Sequence, residues 1–117
     1  MDYEFTRGDT FPFPDAFKFV DDKGEVLTLK NADKVYMTAR TNANSKEKLF
    51  QKTLGNGITI GEDGYCYIVL EPDDTAKLPY GTYGFDISLK TASGLVTTPI
   101  KGSITLTEEY THKEDEI

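Results

Sequence analysis

Apolar and polar residues alternate with a period of two through most of residues 1–107. Gly, Asn, Asp or Pro breaks the alternation roughly every 8 to 12 residues, the rhythm of short strands joined by tight turns. Period two puts alternate side chains on opposite faces of an extended segment, so each strand buries one set and exposes the other. Residues 34–41 (KVYMTART) place Val35, Met37 and Ala39 on one face and Tyr36, Thr38 and Arg40 on the other. Residues 83–90 separate Tyr83, Phe85, Ile87 and Leu89 from Gly84, Asp86, Ser88 and Lys90, the clearest alternation in the chain. No amphipathic helix of useful length competes with this pattern.

Near the start, Phe5, Phe11, Phe13, Phe17 and Phe19 all fall on odd positions, so one face of an extended segment is aromatic. Pro12 and Pro14 cannot donate ladder hydrogen bonds, which predicts an edge strand or one that switches sheets around Pro14-Asp15. Asp21-Asp22-Lys23-Gly24 turns the chain into a strand over 26–29, and a strand over 49–54 leads to Gly55-Asn56-Gly57. That tripeptide is a strong turn signal before Ile58-Thr59-Ile60, with a hairpin to follow. Gly61-Glu62-Asp63-Gly64 makes the next turn, and Asp73 to Leu78 predicts one helical turn capped by an aspartate. Ala92-Ser93-Gly94 turns into a strand over 95–98, Pro99 to Gly102 interrupts it, and Ile104 and Leu106 finish the last strand. The fold class is therefore all-β: an antiparallel β-sandwich of seven to nine short strands, with at most one short helical turn near 73–78.

A length of 117 residues leaves room for one domain, expected over 1–107. Residues 108–117 (EEYTHKEDEI) hold five carboxylates and one Lys and have no apolar face, which predicts an acidic mobile tail. Lys and Arg number 13 against 20 Asp and Glu, a formal charge of -7. A surface of that sign repels phosphate backbones and anionic headgroups, so neither nucleic acid nor membrane is an expected partner. No run approaches the roughly 18 apolar residues of a membrane helix. Met1-Asp2-Tyr3-Glu4 is the opposite of a basic signal-peptide start, so synthesis in the cytoplasm without export by a signal peptide is expected.

One cysteine excludes an intrachain disulfide and any multi-Cys zinc site. Cys66 shares its face with Ile68 and Leu70, opposite Tyr65, Tyr67 and Val69, and is expected inside as an inert thiol. The lone histidine, His112, sits in the acidic tail, so no Ser-His-Asp or Cys-His arrangement forms. Acidic clusters at Asp21-Asp22, at Glu62-Asp63 and at Glu71, Asp73 and Asp74 lack the ligand order of a calcium loop and read as solvated turns. Gly55, Gly57, Gly61 and Gly64 precede no helix, so no phosphate-cradling loop is present. Arg7-Gly8-Asp9 spells an integrin-recognition tripeptide, but Gly8 reads as a bend or bulge leading into the first long strand. The expectation is a protein without catalytic residues, metal or cofactor. One contact surface remains: Tyr65 and Tyr67 share the face opposite Cys66, and Tyr36 also alternates with an apolar face, so the three project outward from neighbouring strands. Exposed tyrosines favour protein contacts or, as the alternative, the platform of a small carbohydrate-binding module, against which the absence of Trp counts.

Asp74-Thr75-Ala76 followed by Tyr83 resembles the E to F corner of immunoglobulin-like domains, where a tyrosine hydroxyl bonds back to nearby backbone. The spacing from Ala76 to Tyr83 is longer than in antibody domains, and their disulfide and core Trp are absent. The wider pattern is Arg7-Gly8-Asp9-Thr10-Phe11 with Phe13, Asp22 with Gly24, Leu27-Thr28, Gly57-Ile58-Thr59-Ile60, Asp74-Thr75-Ala76, Leu78-Pro79 and Gly81-Thr82-Tyr83. Gly94 with Val96-Thr97, then Gly102 with Ile104-Thr105-Leu106-Thr107, complete it. In that order, over residues 7 to about 111, the chain resembles a family of small phage and prophage virion structural proteins with immunoglobulin-like sandwiches. They stand in the broad company of the N-terminal domain of siphophage baseplate upper proteins. The resemblance implies a non-enzymatic structural or adaptor role in a tail, baseplate or head-to-tail assembly. Its partners would be other phage structural proteins or further copies of the chain, engaged by edge pairing or tyrosine patches.

Overall fold

A computed structural model describes residues 1–27, 29 and 33–110. Its elements are β1 (Asp2–Thr6), β2 (Phe11–Pro12), β3 (Lys34–Arg40), β4 (Phe50–Leu54), β5 (Gly57–Ile60), β6 (Cys66–Leu70), α1 (Pro72–Thr75), β7 (Gly81–Lys90) and β8 (Val96–Thr107). The fold is all-β, with one turn of helix. Alternation is obeyed in the strands that show it best. Val35, Met37 and Ala39 of β3, Cys66, Ile68 and Leu70 of β6, and Tyr83, Phe85, Ile87 and Leu89 of β7 are buried, while their neighbours face outward. Among the described residues no helix is long and apolar enough to cross a membrane.

The strands pair as one continuous sheet in the order β1-β8-β7-β3-β4-β5-β6-β2. The sheet rolls until its ends meet, so the two layers of the expected sandwich are the halves of a near-barrel. β1 pairs only with β8 and β2 only with β6 among the described residues, and side chains close the seam between them. Phe5 stacks on Phe11 with ring centroids 4.2 Å apart and planes within 7°. Tyr3 lies 4.7 Å from Phe13, whose ring reaches Phe85 of β7 at 5.7 Å. The odd-numbered aromatic face is thus the closure itself. Pro12 occupies the edge as expected: Phe13 donates to the Ile68 carbonyl, so the alternate residue turns its nitrogen away from β6, where no ladder partner is needed.

Five pairings are antiparallel, but β1 runs parallel to β8 and β4 parallel to β5. The second of these corrects the expected hairpin across Gly55-Asn56-Gly57. Gly55 and Gly57 take φ of 85° and 96°, and the two left-handed residues coil the chain so that Gly57 and Ile58 lie beside Thr53 and Leu54 in the same direction. The hairpin forms one turn later, between β5 and β6. Pro99 does not interrupt the last strand: β8 runs through it, and a register shift between Ile87 and Leu89 absorbs the misfit as a bulge. The helical turn begins at Pro72, earlier than expected, and its aspartate acts from inside, with Asp74 accepting the Glu71 N–H at 2.7 Å. In the expected strand over 26–29, Val26 bridges Val20 and Leu27 donates to the Phe19 carbonyl; Thr28 lies outside the described residues.

The strand directions give the barrel two ends. The 7–10 turn, α1 and Leu78 cover one, while the chain around Phe17 and Phe19, both buried, covers the other. Cys66 is 1 % exposed, and burial pushes its thiol from 9.0 up to about 11. The unfolded thiol ionises first, so this group leaves stability unchanged below pH 9 and lowers it as pH rises from there through about 11. We expect iodoacetamide at pH 8 to label native Cys66 at least about a hundredfold more slowly than the urea-unfolded chain, by mass spectrometry. Phe13→Ala should cost about 3 to 5 kcal/mol in chemical denaturation, since it opens the seam and the core beneath Phe85 together.

Candidate functional site

The three tyrosines expected to form a contact surface fall in two places. Tyr67 is 41 % exposed on β6 and donates its hydroxyl to Asp63 Oδ2 at 3.1 Å, while Asp63 Oδ1 accepts the Tyr65 N–H at 2.9 Å. The bond to Asp63 raises the Tyr67 phenol above its ordinary range, because the carboxylate favours the protonated hydroxyl. The Tyr65 ring carries the Lys18 ammonium 5.1 Å from its centroid. These two therefore form one group around the Gly61–Gly64 turn. Tyr36 does not join them. It is half-buried on β3, and β4 and β5 stand between β3 and β6, so about 14 Å of sheet separates the two places. Tyr36 instead borders an open groove of about 540 Å³ with Lys34, Thr53, Leu54 and Ile60.

Six residues of the virion-protein resemblance, Arg7, Gly8, Thr75, Leu78, Pro79 and Tyr83, meet at the α1 end, while Gly94 and Val96 of the same pattern lie at the other. Gly8, at φ 82°, bends the chain and donates its N–H to Thr75 Oγ1 at 2.9 Å, and Thr75 is fully buried. The Arg7 guanidinium donates to the Leu78 carbonyl at 3.1 Å, to Tyr80 Oη at 3.1 Å and to Glu109 Oε1 at 2.8 Å. It also lies 4.2 Å from the Tyr80 ring centroid. Arg7-Gly8-Asp9 is therefore a structural joint, with its arginine held inward. Tyr83 donates to the Pro79 carbonyl at 2.5 Å, the back-bond expected of a tyrosine corner. Glu109 anchors the start of the acidic segment; residues 111–117, His112 among them, lie outside the described residues.

Two features of this end escape a reading by alternation alone. Tyr80 and Tyr110, 45 % and 90 % exposed, flank an open hollow with Leu106 and Glu108. The second is a buried ion pair. Lys52 takes an inward position on β4, opposite Met37, and its ammonium meets Asp74 Oδ2 at 2.6 Å. Asp74 is thus no solvated turn residue, unlike Asp21 and Asp63, whose carboxylates accept backbone N–H groups in exposed turns. The signal was present in Phe50-Gln51-Lys52-Thr53-Leu54, where a lysine stands on the apolar face and requires a carboxylate partner.

Among the described residues no group of three or more His, Cys, Asp or Glu side chains is placed to hold a metal ion. No protein-family model matches the chain, and no curated protein matches it at a significant level. Lys52→Met leaves the half-buried Asp74 carboxylate beside an apolar chain and should cost about 3 kcal/mol. Adding Asp74→Asn should return at least about 1 kcal/mol of that loss, the coupling of a contacting pair, measured by urea denaturation of both single variants and the double.

Proposed function

We propose that the chain is a non-enzymatic structural or adaptor protein of a phage or prophage particle, working through contacts with other proteins. The observation that carries this reading is where six of the resemblance residues lie. Arg7, Gly8, Thr75, Leu78, Pro79 and Tyr83 supply three hydrogen bonds that hold one end of the barrel, which is the use a structural family makes of its shared positions. The exposed aromatic residues supply contact material at both ends: Tyr80 and Tyr110 at one, Tyr67 with Val20, Val26, Leu95 and Val96 toward the other. Tyrosine with arginine close by is the composition of energetically dominant interface positions. A tail, baseplate or head-to-tail position fits equally well, with synthesis in the bacterial cytoplasm before incorporation. The carbohydrate-binding alternative gains no support from the separation of Tyr36 from Tyr65 and Tyr67, since a stacking platform needs its rings together.

The test is co-purification. Particles released from cells carrying the gene are banded in a density gradient and analysed by mass spectrometry. The chain is expected in the particle band at a fixed ratio to the major structural proteins. Recovery of intact particles without it overturns the reading, as does glycan-array binding that disappears in Tyr65→Ala and Tyr67→Ala.

A further inference from the structure

The contact between Lys52 and Asp74 is enclosed, and each side chain is aimed at the other by the backbone around it. The two side chains are 8 % and 15 % exposed. Gly57 admits the lysine: a Cβ at that position would stand 2.6 Å from Lys52 Cδ and 3.1 Å from its Cγ, so the stem lies directly on the glycine backbone. Met37, opposite Lys52 across the β3–β4 ladder, is fully buried. Asp74 is fixed from its own side. Its N–H donates to the Glu71 carbonyl at 3.0 Å, and its Oδ2 accepts the Glu71 N–H at 2.7 Å. Nζ and Oδ2 then meet at 2.6 Å.

An amine and a carboxyl group held in this way have a reaction open to them besides charge pairing. Cγ of Asp74 is one bond beyond Oδ2 and so stands within about 3.8 Å of Nζ. Bonds form from separations of roughly 3 to 3.5 Å, a small further approach. Enclosure withdraws the water that keeps an ammonium and a carboxylate apart as ions. One proton passes from Nζ to Oδ2, giving a neutral amine and a neutral acid. The Nζ lone pair attacks Cγ, a second proton follows to the same oxygen, and the Cγ–Oδ2 bond breaks. Oδ2 departs as water, Oδ1 remains as the amide oxygen, and the balance closes without a further reactant. Holding the two groups in one site corresponds to effective molarities of about 10⁵ to 10⁸ M, which offsets the mass action of water against amide formation.

We propose that Lys52 and Asp74 condense after folding into an intramolecular amide bond that joins β4 to α1. The bond makes permanent the attachment of the helical turn over the barrel end. It also closes a loop between residues 52 and 74 that survives unfolding, so it constrains the denatured chain as a disulfide does. A chain with one cysteine has no disulfide of its own to do this. The reaction requires the fold, because Gly57 and Glu71 bring the two groups together only there. This inference does not rest on a place in a phage particle, and its test needs only the purified chain.

The experiment is intact-mass spectrometry of the full chain, freshly purified and after days of incubation at neutral pH, native and in urea. The native chain, at once or after incubation, is expected to weigh one water less than its sequence, while the chain kept unfolded in urea from synthesis keeps its full mass. Proteolysis and tandem mass spectrometry should then yield a branched peptide with Lys52 joined to Asp74. Lys52→Arg keeps a cation against the carboxylate but has no nucleophilic amine, so it should retain its full mass together with the wild-type circular dichroism. A native wild-type chain that keeps its full mass throughout overturns the proposal. So does a loss of water that persists in Lys52→Arg or maps to Asp63-Gly64, where an aspartate before a glycine can cyclise on the backbone instead.

Discussion

The fold depends on the contact of rings between β1 and β2. Every other join in the barrel is a hydrogen-bonded ladder, whereas this one rests on Phe5 against Phe11 and on Tyr3 against Phe13, whose ring reaches Phe85. The arrangement follows from direction. β1 runs parallel to β8 and β2 antiparallel to β6, and only the turn over 7–10 separates β1 from β2. Each of the two strands makes its ladder on one side only, and no backbone ladder joins β1 to β2 among the described residues. Aromatic side chains span the remaining gap because each buries a large area without needing backbone register. The Arg7 and Gly8 bonds to Leu78 and Thr75 hold the turn where the seam begins.

The buried Lys52–Asp74 pair plays a different part. Two charges taken out of water repay their desolvation only in good geometry, and apolar replacements of such pairs are often as stable. What the pair supplies is position. Asp74 Oδ2 accepts both the Lys52 ammonium and the Glu71 N–H, so the start of α1 is fixed to the middle of β4. Thr75, one residue on, then lies where Gly8 can bond to it. A four-residue helix has little stability of its own, and these contacts hold it over the barrel end.

Much of this was legible in the sequence, and the limits were local. Alternation identified the inward residues of β3, β6 and β7 and the burial of Cys66, the missing N–H of Pro12 gave its edge position, and the resemblance to an immunoglobulin-like corner implied the back-bond of Tyr83. It could not give neighbour relations. Tyr36 and Tyr67 both face outward as expected, yet strand order decides whether two outward residues meet, and here β4 and β5 intervene. Nor could it give direction: Gly55-Asn56-Gly57 is good hairpin chemistry, but two left-handed glycines also allow a coil that keeps the chain on course. Pro99 marked an irregularity correctly, but a long strand can absorb an interruption as a bulge when its partner continues, which pattern reading does not reveal.

The rolled sheet also decides how this protein can be held. An open sandwich offers edge strands to its neighbours, and pairing with an edge is an easy route to assembly. Here the two terminal strands turn toward each other, and Pro12 removes one donor from the edge that remains. Strand addition would have to break the aromatic seam, with a loss in the core for each backbone bond gained. The association proposed for this chain would therefore fall to side chains, the tyrosines at the α1 end and around Asp63. Side-chain faces leave the barrel intact whether or not a partner is bound, so assembly through them would follow folding and not depend on it.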